Sequence, residues 1–486
     1  MSINNKTLDN NIVINSLLWK IIERFFSQGV NLLIQIVLAR LLMPEEFGSL
    51  AIMVAMINYA NIFVQSGLGT ALIQKKEIDK KDISTLLSIS LFTALIMYIV
   101  LFTISPYIGN YYSNMDIVLP LRILSLTLFL NSLNSIQTAI LSRNMDFKFL
   151  CLRSVIAVPL SGLVAIVMAY NGFGLWYLVA QVLLNNILIV LFMSFDKELR
   201  FKLGFCLERA KSFYSFSTNI LLTSIVTGFH DTFRAMLIAK YYTKSDLAYF
   251  DKAVTYSSYV TQIVIQSLSS VLLPTFSKQQ DNINELKESS RKAISLIAFI
   301  IFPVLVLVAM FSDELVQFVL TEKWLPCVPF LSLYCFLRMP GCIVVIDKQV
   351  LYALGKVEII LYYEVGLFVL NLSVLYHTIS ISTYAVALGA TIVEFIGTFI
   401  VCIIASNIYK YKIQERLRDI YRPFVYLLCL VPLKQLTFIN NQKADLFVKI
   451  IAFCIIYNGL AYITRDANLI YIIKIIKLKK GDYSYD

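Results

Sequence analysis

The chain has 486 residues, 58% of them hydrophobic and only 15% charged, with a formal net charge of +11. A soluble globular protein carries about 25% charged residues, so the composition excludes a soluble enzyme and marks a polytopic membrane protein. The positive balance calls for no nucleic-acid partner, because the Lys and Arg gather in loops on one side of the apolar segments.

About 20 apolar residues carry a helix across a bilayer. About fourteen such spans are predicted on that length, and the fold class is all-α. The chain opens on the polar stretch MSINNKTLDNN, and the first apolar run lacks a small-residue cleavage site, so no cleavable signal peptide is expected. Spans at 15–39, 48–73, 84–109, 117–141, 149–170 and 173–195 make an N-terminal six-helix lobe, 1–196. A cytoplasmic basic linker, 197–212, precedes spans at 213–239, 247–273, 292–311, 326–347, 357–377 and 382–406, the C-terminal lobe 213–406. Residues 407–486 hold a second basic linker, two extra spans at 420–438 and 446–464, and a tail.

The loops KKEIDKK (75–81), 197–211, 278–292 and 410–422, with the tail 465–480, carry about 28 Lys and Arg, against about 7 on the other side, a positive-inside bias. Both termini are therefore predicted to be cytoplasmic. Eight Cys, at 151, 206, 327, 335, 342, 402, 429 and 454, form no CxxC pair and read as small apolar packing residues.

The two lobes read as a repeat. LARLLMPEEFGSLA (38–51) aligns with IAKYYTKSDLAYFD (238–251) at an offset of 200: a helix end, a cation, a short turn, an acidic residue and a new helix. Many transporters are built from such repeats, with the substrate site between them. Both copies start on the cytoplasmic side, so the repeat is parallel.

Polar residues fall in stripes on the first two spans of each lobe. Arg24, Gln28, Asn31 and Gln35 lie within about 60° around span 1, and Asn58, Asn61, Gln65 and Gly69 share a similar arc on span 2. Span 7 carries Asn219, Thr223, Thr227, His230 and Arg234. Span 8 carries Asp251, Thr255, Ser258, Gln262, Gln266 and Ser269. A weaker stripe of Asn131, Asn134, Ser135 and Thr138 marks span 4. Polar side chains also bond helix to helix in membranes. Stripes on corresponding helices of both lobes exceed that need and point to an enclosed polar passage.

A charge at mid-membrane is costly, at least about 2.5–3.5 kcal/mol. Arg24 is predicted in the inner third, Arg338 near the middle, and Arg122, Arg234 and Lys252 toward the outer face. Such a series suits an anion such as a diphosphate, which the planar guanidinium fork binds through two bonds at once. The alternative is internal pairing: Arg234 with Asp231 at i, i+3, or Arg338 with Glu394 or Glu364. Asp231, Asp251, Glu364 and Glu394 are the candidates for holding a coupling ion, H⁺ or Na⁺. His230 and His377 are the only histidines, and neither has metal-ligand spacing, so no metal or cofactor is expected.

No P-loop and no Ser-His-Asp or Cys-His arrangement occurs, and no loop is long enough for a catalytic domain. The chain reads as a non-enzyme.

LWKIIERFFSQGVNLLIQIVLARLLMPEEFG (18–48) and FVQSGLGTALIQKK (63–76) resemble the opening of Wzx-type polysaccharide and O-antigen flippases. LSRNMDF (141–147) with GFGLWYLV (172–179) resembles the end of that family's first half; HDTFRAMLIAKYYTKSDLAYFDKA (230–253), YALGK (352–356) and VLNLSVLY (369–376) resemble its second. The resemblance covers roughly residues 15–406. It implies the superfamily of multidrug and toxin extrusion antiporters and lipid II flippases, with two six-helix lobes around a central cavity lined by spans 1, 2, 7 and 8. It further implies a bacterial cytoplasmic-membrane protein that moves an undecaprenyl-diphosphate-linked oligosaccharide from the inner to the outer leaflet by alternating access. Membrane lipid, a coupling ion, a polysaccharide polymerase and a chain-length regulator are then the candidate partners. Arg24 best matches an inner cavity cation. An extrusion-type drug or metabolite antiporter is the alternative, and it would want a net acidic cavity.

Overall fold

The structure is a computed structural model that describes residues 10–65, 68–75, 78–196, 199 and 203–479. Among the described residues the regular elements are helical, with no strand. In chain order they are α1 (Asn10–Leu41), α2 (Pro44–Gln65), α3 (Leu68–Gln74), α4 (Lys80–Tyr111), α5 (Val118–Leu124), α6 (Thr127–Arg143), α7 (Phe147–Tyr170), α8 (Trp176–Ser194) and α9 (Leu207–Tyr241). They continue as α10 (Lys244–Lys278), α11 (Ile283–Met310), α12 (Ser312–Val319), α13 (Val328–Ala353), α14 (Val357–Thr378), α15 (Thr383–Tyr409), α16 (Ile413–Leu430), α17 (Gln442–Ile463) and α18 (Ala467–Lys479).

Among the described residues, ten helical segments are long and apolar enough to cross a membrane. They match ten of the predicted spans. The other four predicted spans fall on α1, α9, α10 and α16. Helix α9 has 35 residues, about 52 Å at 1.5 Å per residue. Three boundaries differ from expectation. The span predicted at 48–73 falls on α2 and α3, and that at 117–141 on α5 and α6. The span predicted at 420–438 starts earlier, at Ile413, because neighbouring cations and carboxylates neutralise its charged first turns.

Contacts divide the chain into one unit of Met1–Asp251 with Glu364–Thr383 and a second of Lys252–Tyr363 with Tyr384–Asp486. This division cuts across the repeat boundary. In the first unit α1 runs beside α7: Lys20 lies 5.2 Å over the Phe147 ring, and a Cβ on Gly162 would fall 2.1 Å from Ile34 Cδ1. Buried Leu72, Leu86, Ile136 and Phe213 join α3, α4, α6 and α9 in one apolar cluster.

The offset of 200 recurs in three dimensions. Helix α1 ends at Leu41 and α2 begins at Pro44; α9 ends at Tyr241 and α10 begins at Lys244. The two equivalent turns touch. Ser245 Oγ donates to Glu45 Oε1 at 2.6 Å, a bond between repeat-related positions. Gly48 makes the approach feasible, since a Cβ there would lie 1.9 Å from the Lys244 carbonyl oxygen.

In the second unit α16 is held by a buried polar clasp. Arg416 forks onto Asp347 of α13, Nη1 to Oδ2 at 2.8 Å and Nη2 to Oδ1 at 2.9 Å. Tyr409 of α15 donates to the same Asp347 oxygen. Asp347 is fully buried and Arg416 is 3% exposed. A second fork joins Arg291 of α11 to Asp419, both bonds 2.8 Å. Lys287 Nζ donates to Glu415 at 2.7 Å.

Candidate functional site

The stripe on α1 is half-buried throughout: Arg24, Gln28, Asn31 and Gln35 all keep partial access. Adjacent residues do not face each other on a helix, yet Arg24 Nε comes 3.6 Å from Glu23 Oε2, near enough for charge attraction and beyond hydrogen-bond reach. That Nε has no hydrogen-bond partner although it is buried.

On α2, Asn58 and Gln65 are exposed and Asn61 is half-buried. Asn61 Oδ1 accepts from Asn131 Nδ2 at 3.1 Å, so here two stripes bond each other as helix–helix glue. On α9, Arg234 is 8% exposed and its Nη2 reaches Asn371 Oδ1 of α14 at 3.5 Å. The side chains of Asn219, Thr223, His230, Asp231 and Gln266 lie outside the described ones. On α10, Ser258 is buried and donates back to the Thr255 carbonyl, while Gln262 is exposed.

Lys252 is 4% exposed and stands 5.8 Å over the Tyr256 ring, a cation–π contact that offsets part of its burial. Arg338 on α13 is half-buried, and its buried Nε makes no hydrogen bond. Glu394 Oε1 would meet a Cβ on Gly341 at 3.4 Å, so its carboxylate lies against α13 one turn beyond Arg338. Asp251, Glu364 and Glu394 are half-buried, and each has interaction partners. His377 is exposed. No group of three metal-ligating side chains occurs among the described residues. All eight Cys are free.

Arg153 on α7 is a cation that the sequence reading passed over. It is 8% exposed. Its Nη1 donates to Asn134 Oδ1 at 2.7 Å, to Thr138 Oγ1 at 3.2 Å and to Met193 Sδ at 2.8 Å. The stripe predicted on span 4 is thus partly a cradle for this guanidinium. Beside it, Ser154 Oγ donates to Glu23 Oε1 at 3.1 Å. The only signal in the sequence is an Arg four residues into an apolar span.

A profile described as polysaccharide biosynthesis protein matches residues 37–329, more than half of the chain. The chain belongs to that family. It is 24% identical over 370 residues to the teichuronic acid biosynthesis protein TuaB of Bacillus subtilis, covering 76% of this chain and 77% of TuaB. It is 24% identical over 275 residues to the succinoglycan biosynthesis transport protein ExoT of Rhizobium meliloti, covering 57% and 55%. Identity to the lipopolysaccharide biosynthesis protein WzxC of Escherichia coli is 24% over 323 residues, 65% of each. The fold is that of the lipid II flippase MurJ in its inward closed conformation, with TM-score 0.76 and 16% identity over 92% of this chain and 99% of MurJ. An inward-facing multidrug resistance MATE family transporter of the MOP superfamily matches with TM-score 0.62 and 15% identity, over 82% and 94%. A member of this family with a flippase and transporter fold is a multi-pass bacterial inner-membrane protein of polysaccharide biosynthesis, and not an enzyme.

Proposed function

We propose that the protein is a flippase for an undecaprenyl-diphosphate-linked oligosaccharide repeat unit, moving it from the inner to the outer leaflet for O-antigen, capsule or exopolysaccharide assembly. The observation that carries this reading is the set of cations within predicted membrane spans: Arg24, Arg234, Lys252 and Arg338. Arg24 and Arg338 each keep an unbonded buried Nε, and an anionic head group is what such donors take. The sugar–diphosphate head crosses among these side chains by alternating access while the polyprenyl tail stays in lipid. The family and its polysaccharide-pathway relatives support the substrate class. Both termini are cytoplasmic on this reading, and Asp231, Asp251, Glu364 and Glu394 are the groups offered to a coupling ion.

The test is the leaflet distribution of the lipid-linked glycan in a strain depleted of the protein, read with an impermeant glycan-labelling probe. Accumulation on the cytoplasmic leaflet, cleared by re-expression, is the expected result. A repeat unit that reaches the outer leaflet but is not polymerised would place the protein after flipping. No change in any lipid-linked glycan would leave the extrusion-type antiporter as the better reading.

A further inference from the structure

The basic linker between α8 and α9 exposes three large apolar side chains outside any helix interior: Leu203, Phe205 and Leu207 are 69%, 65% and 60% exposed. Residues 203–206 form no helix, and Cys206 has extended backbone, φ −131° and ψ 114°. Successive side chains of an extended segment point to opposite faces. The alternate residues, Gly204 and Cys206, lie against α4. Ser88 Oγ donates to the Gly204 carbonyl at 3.1 Å and accepts from its N–H at 3.2 Å. The Cys206 N–H donates to Thr85 Oγ1 at 3.2 Å. A Cβ on Gly204 would come 3.2 Å from Ser84 Oγ, so glycine lets the segment lie close against the helix. Arg209 then bonds Asp79 at the head of α4. The segment is strapped to α4 with its apolar side chains on the face away from these bonds.

The face of α4 beneath the strap indicates what those side chains meet. Lys81, Ser84, Ser88, Phe92, Leu95 and Ile99 fall within about 80° around the helix. Phe92, Leu95 and Ile99 are exposed, and only 22% of the apolar window of α4 is buried by protein. This stripe faces lipid. The strap lies at its cytoplasmic end, with Ser88 about 6 Å before Phe92 along the axis. That is the boundary of head groups and acyl chains, where amphipathic segments bury their apolar face. Lys80, Lys81 and Lys211, which flank the strap, are exposed. Residues 75–81 carry four Lys against two acidic residues, and 197–211 carry five Lys and Arg against two, so the frame is cationic. Single exposed apolar residues need no explanation. Three in alternation, beside a lipid-facing stripe and among cations, have one.

We propose that residues 203–207 are a membrane strap: Leu203, Phe205 and Leu207 enter the inner leaflet, and Lys80, Lys81 and Lys211 hold the head groups of anionic phospholipids. These lipids are residents of the bilayer and not cargo, so the inference goes beyond the flippase reading. Each Lys near an anionic surface favours it about fivefold, and salt weakens the attraction.

The experiment places an environment-sensitive fluorophore at Phe205→Cys in a full-length variant without the native Cys. The protein is held in nanodiscs of phosphatidylcholine alone or mixed with phosphatidylglycerol, which leave both faces open to solutes. Brominated acyl chains are expected to quench the label and aqueous iodide to leave it bright. A label at Glu208→Cys, an exposed neighbour, answers to iodide instead. Phosphatidylglycerol is expected to raise the melting temperature of the wild type. The triple variant Lys80→Gln, Lys81→Gln and Lys211→Gln loses that rise, yet melts as wild type in phosphatidylcholine alone because all three side chains are at the surface. A Phe205 label quenched by iodide and not by brominated lipid puts the segment in water and overturns the strap. A label shielded from both quenchers means that protein covers the segment, and overturns it equally. Quenching by brominated lipid with no effect of phosphatidylglycerol on melting overturns the anionic head-group assignment. None of these readouts depends on transport, so their failure leaves the leaflet assay to judge the flippase reading by itself.

Discussion

Arg24 combines a charge, partial access and an uncommitted donor within an apolar run. Arg24→Ala removes charge and fork together, whereas Arg24→Lys keeps the charge and loses the paired geometry. One charge-assisted bond is worth about 1.5–3 kcal/mol, so transport is expected to fall by roughly 10–100-fold in the Ala variant and to survive in part with Lys. Outer-leaflet glycan at matched protein level is the readout, and unchanged transport in the Ala variant would take Arg24 out of the mechanism. Arg24 was legible in the sequence because a cation with no distant-looking excuse stands out in span 1. Arg153 was not, because an Arg near the end of a span looks like one that snorkels to the interface, and only the fold reveals that Asn134, Thr138 and Met193 enclose it. Asp347 escaped for a similar reason: it closes the span predicted at 326–347, where an acid suggests the water boundary.

Helix α16 shows how far an element's limits depend on partners remote in sequence. Its opening, IQERLRDIYR, is too charged to be read as a membrane helix, and hydropathy alone moved the predicted span seven residues toward the C-terminus. Asp347, Arg291 and Lys287 lie 69, 128 and 128 residues from their partners on α16, and no local pattern announces them. By contrast, the repeat was legible down to its turns, since helix end, acidic cap and new helix recur as short sequence signals. The clasp predicts a specific stability pattern. Asp347→Asn leaves the buried Arg416 without its counterion, a loss of about 3–5 kcal/mol. Replacing both partners with apolar residues, Asp347→Leu with Arg416→Met, removes the stranded charge and recovers most of that loss. Thermal unfolding of the purified variants measures both. A single variant that melts like the wild type would show that the pair does not hold α16.

For the whole molecule, the open count is how many helices cross the bilayer. Helices α9 and α10 carry two of the polar stripes, so whether they cross decides whether a polar passage is enclosed. Packing within the first unit decides for α9. Arg209 near its start bonds Asp79 at the head of α4 at 3.1 Å. Lys240 near its end donates to the carbonyl of Tyr111, the last residue of α4, at 2.9 Å. Helix α4 is among the apolar segments able to span, and α9 runs beside it from one end to the other. It therefore traverses whatever thickness α4 does. The Glu45–Ser245 bond then sets the α9–α10 turn on the same side as the α1–α2 turn, opposite the basic linker at 197–212. On the proposed topology, with both termini cytoplasmic, that side is external. In spheroplasts carrying a variant without the native Cys, Thr243→Cys should react with an impermeant maleimide, while Arg209→Cys should react only after permeabilisation. If Cys at 243 is also protected until the membrane is opened, α9 and α10 do not cross as a pair, the stripes on them face no passage, and the cavity reading of Arg234 and Lys252 falls with them.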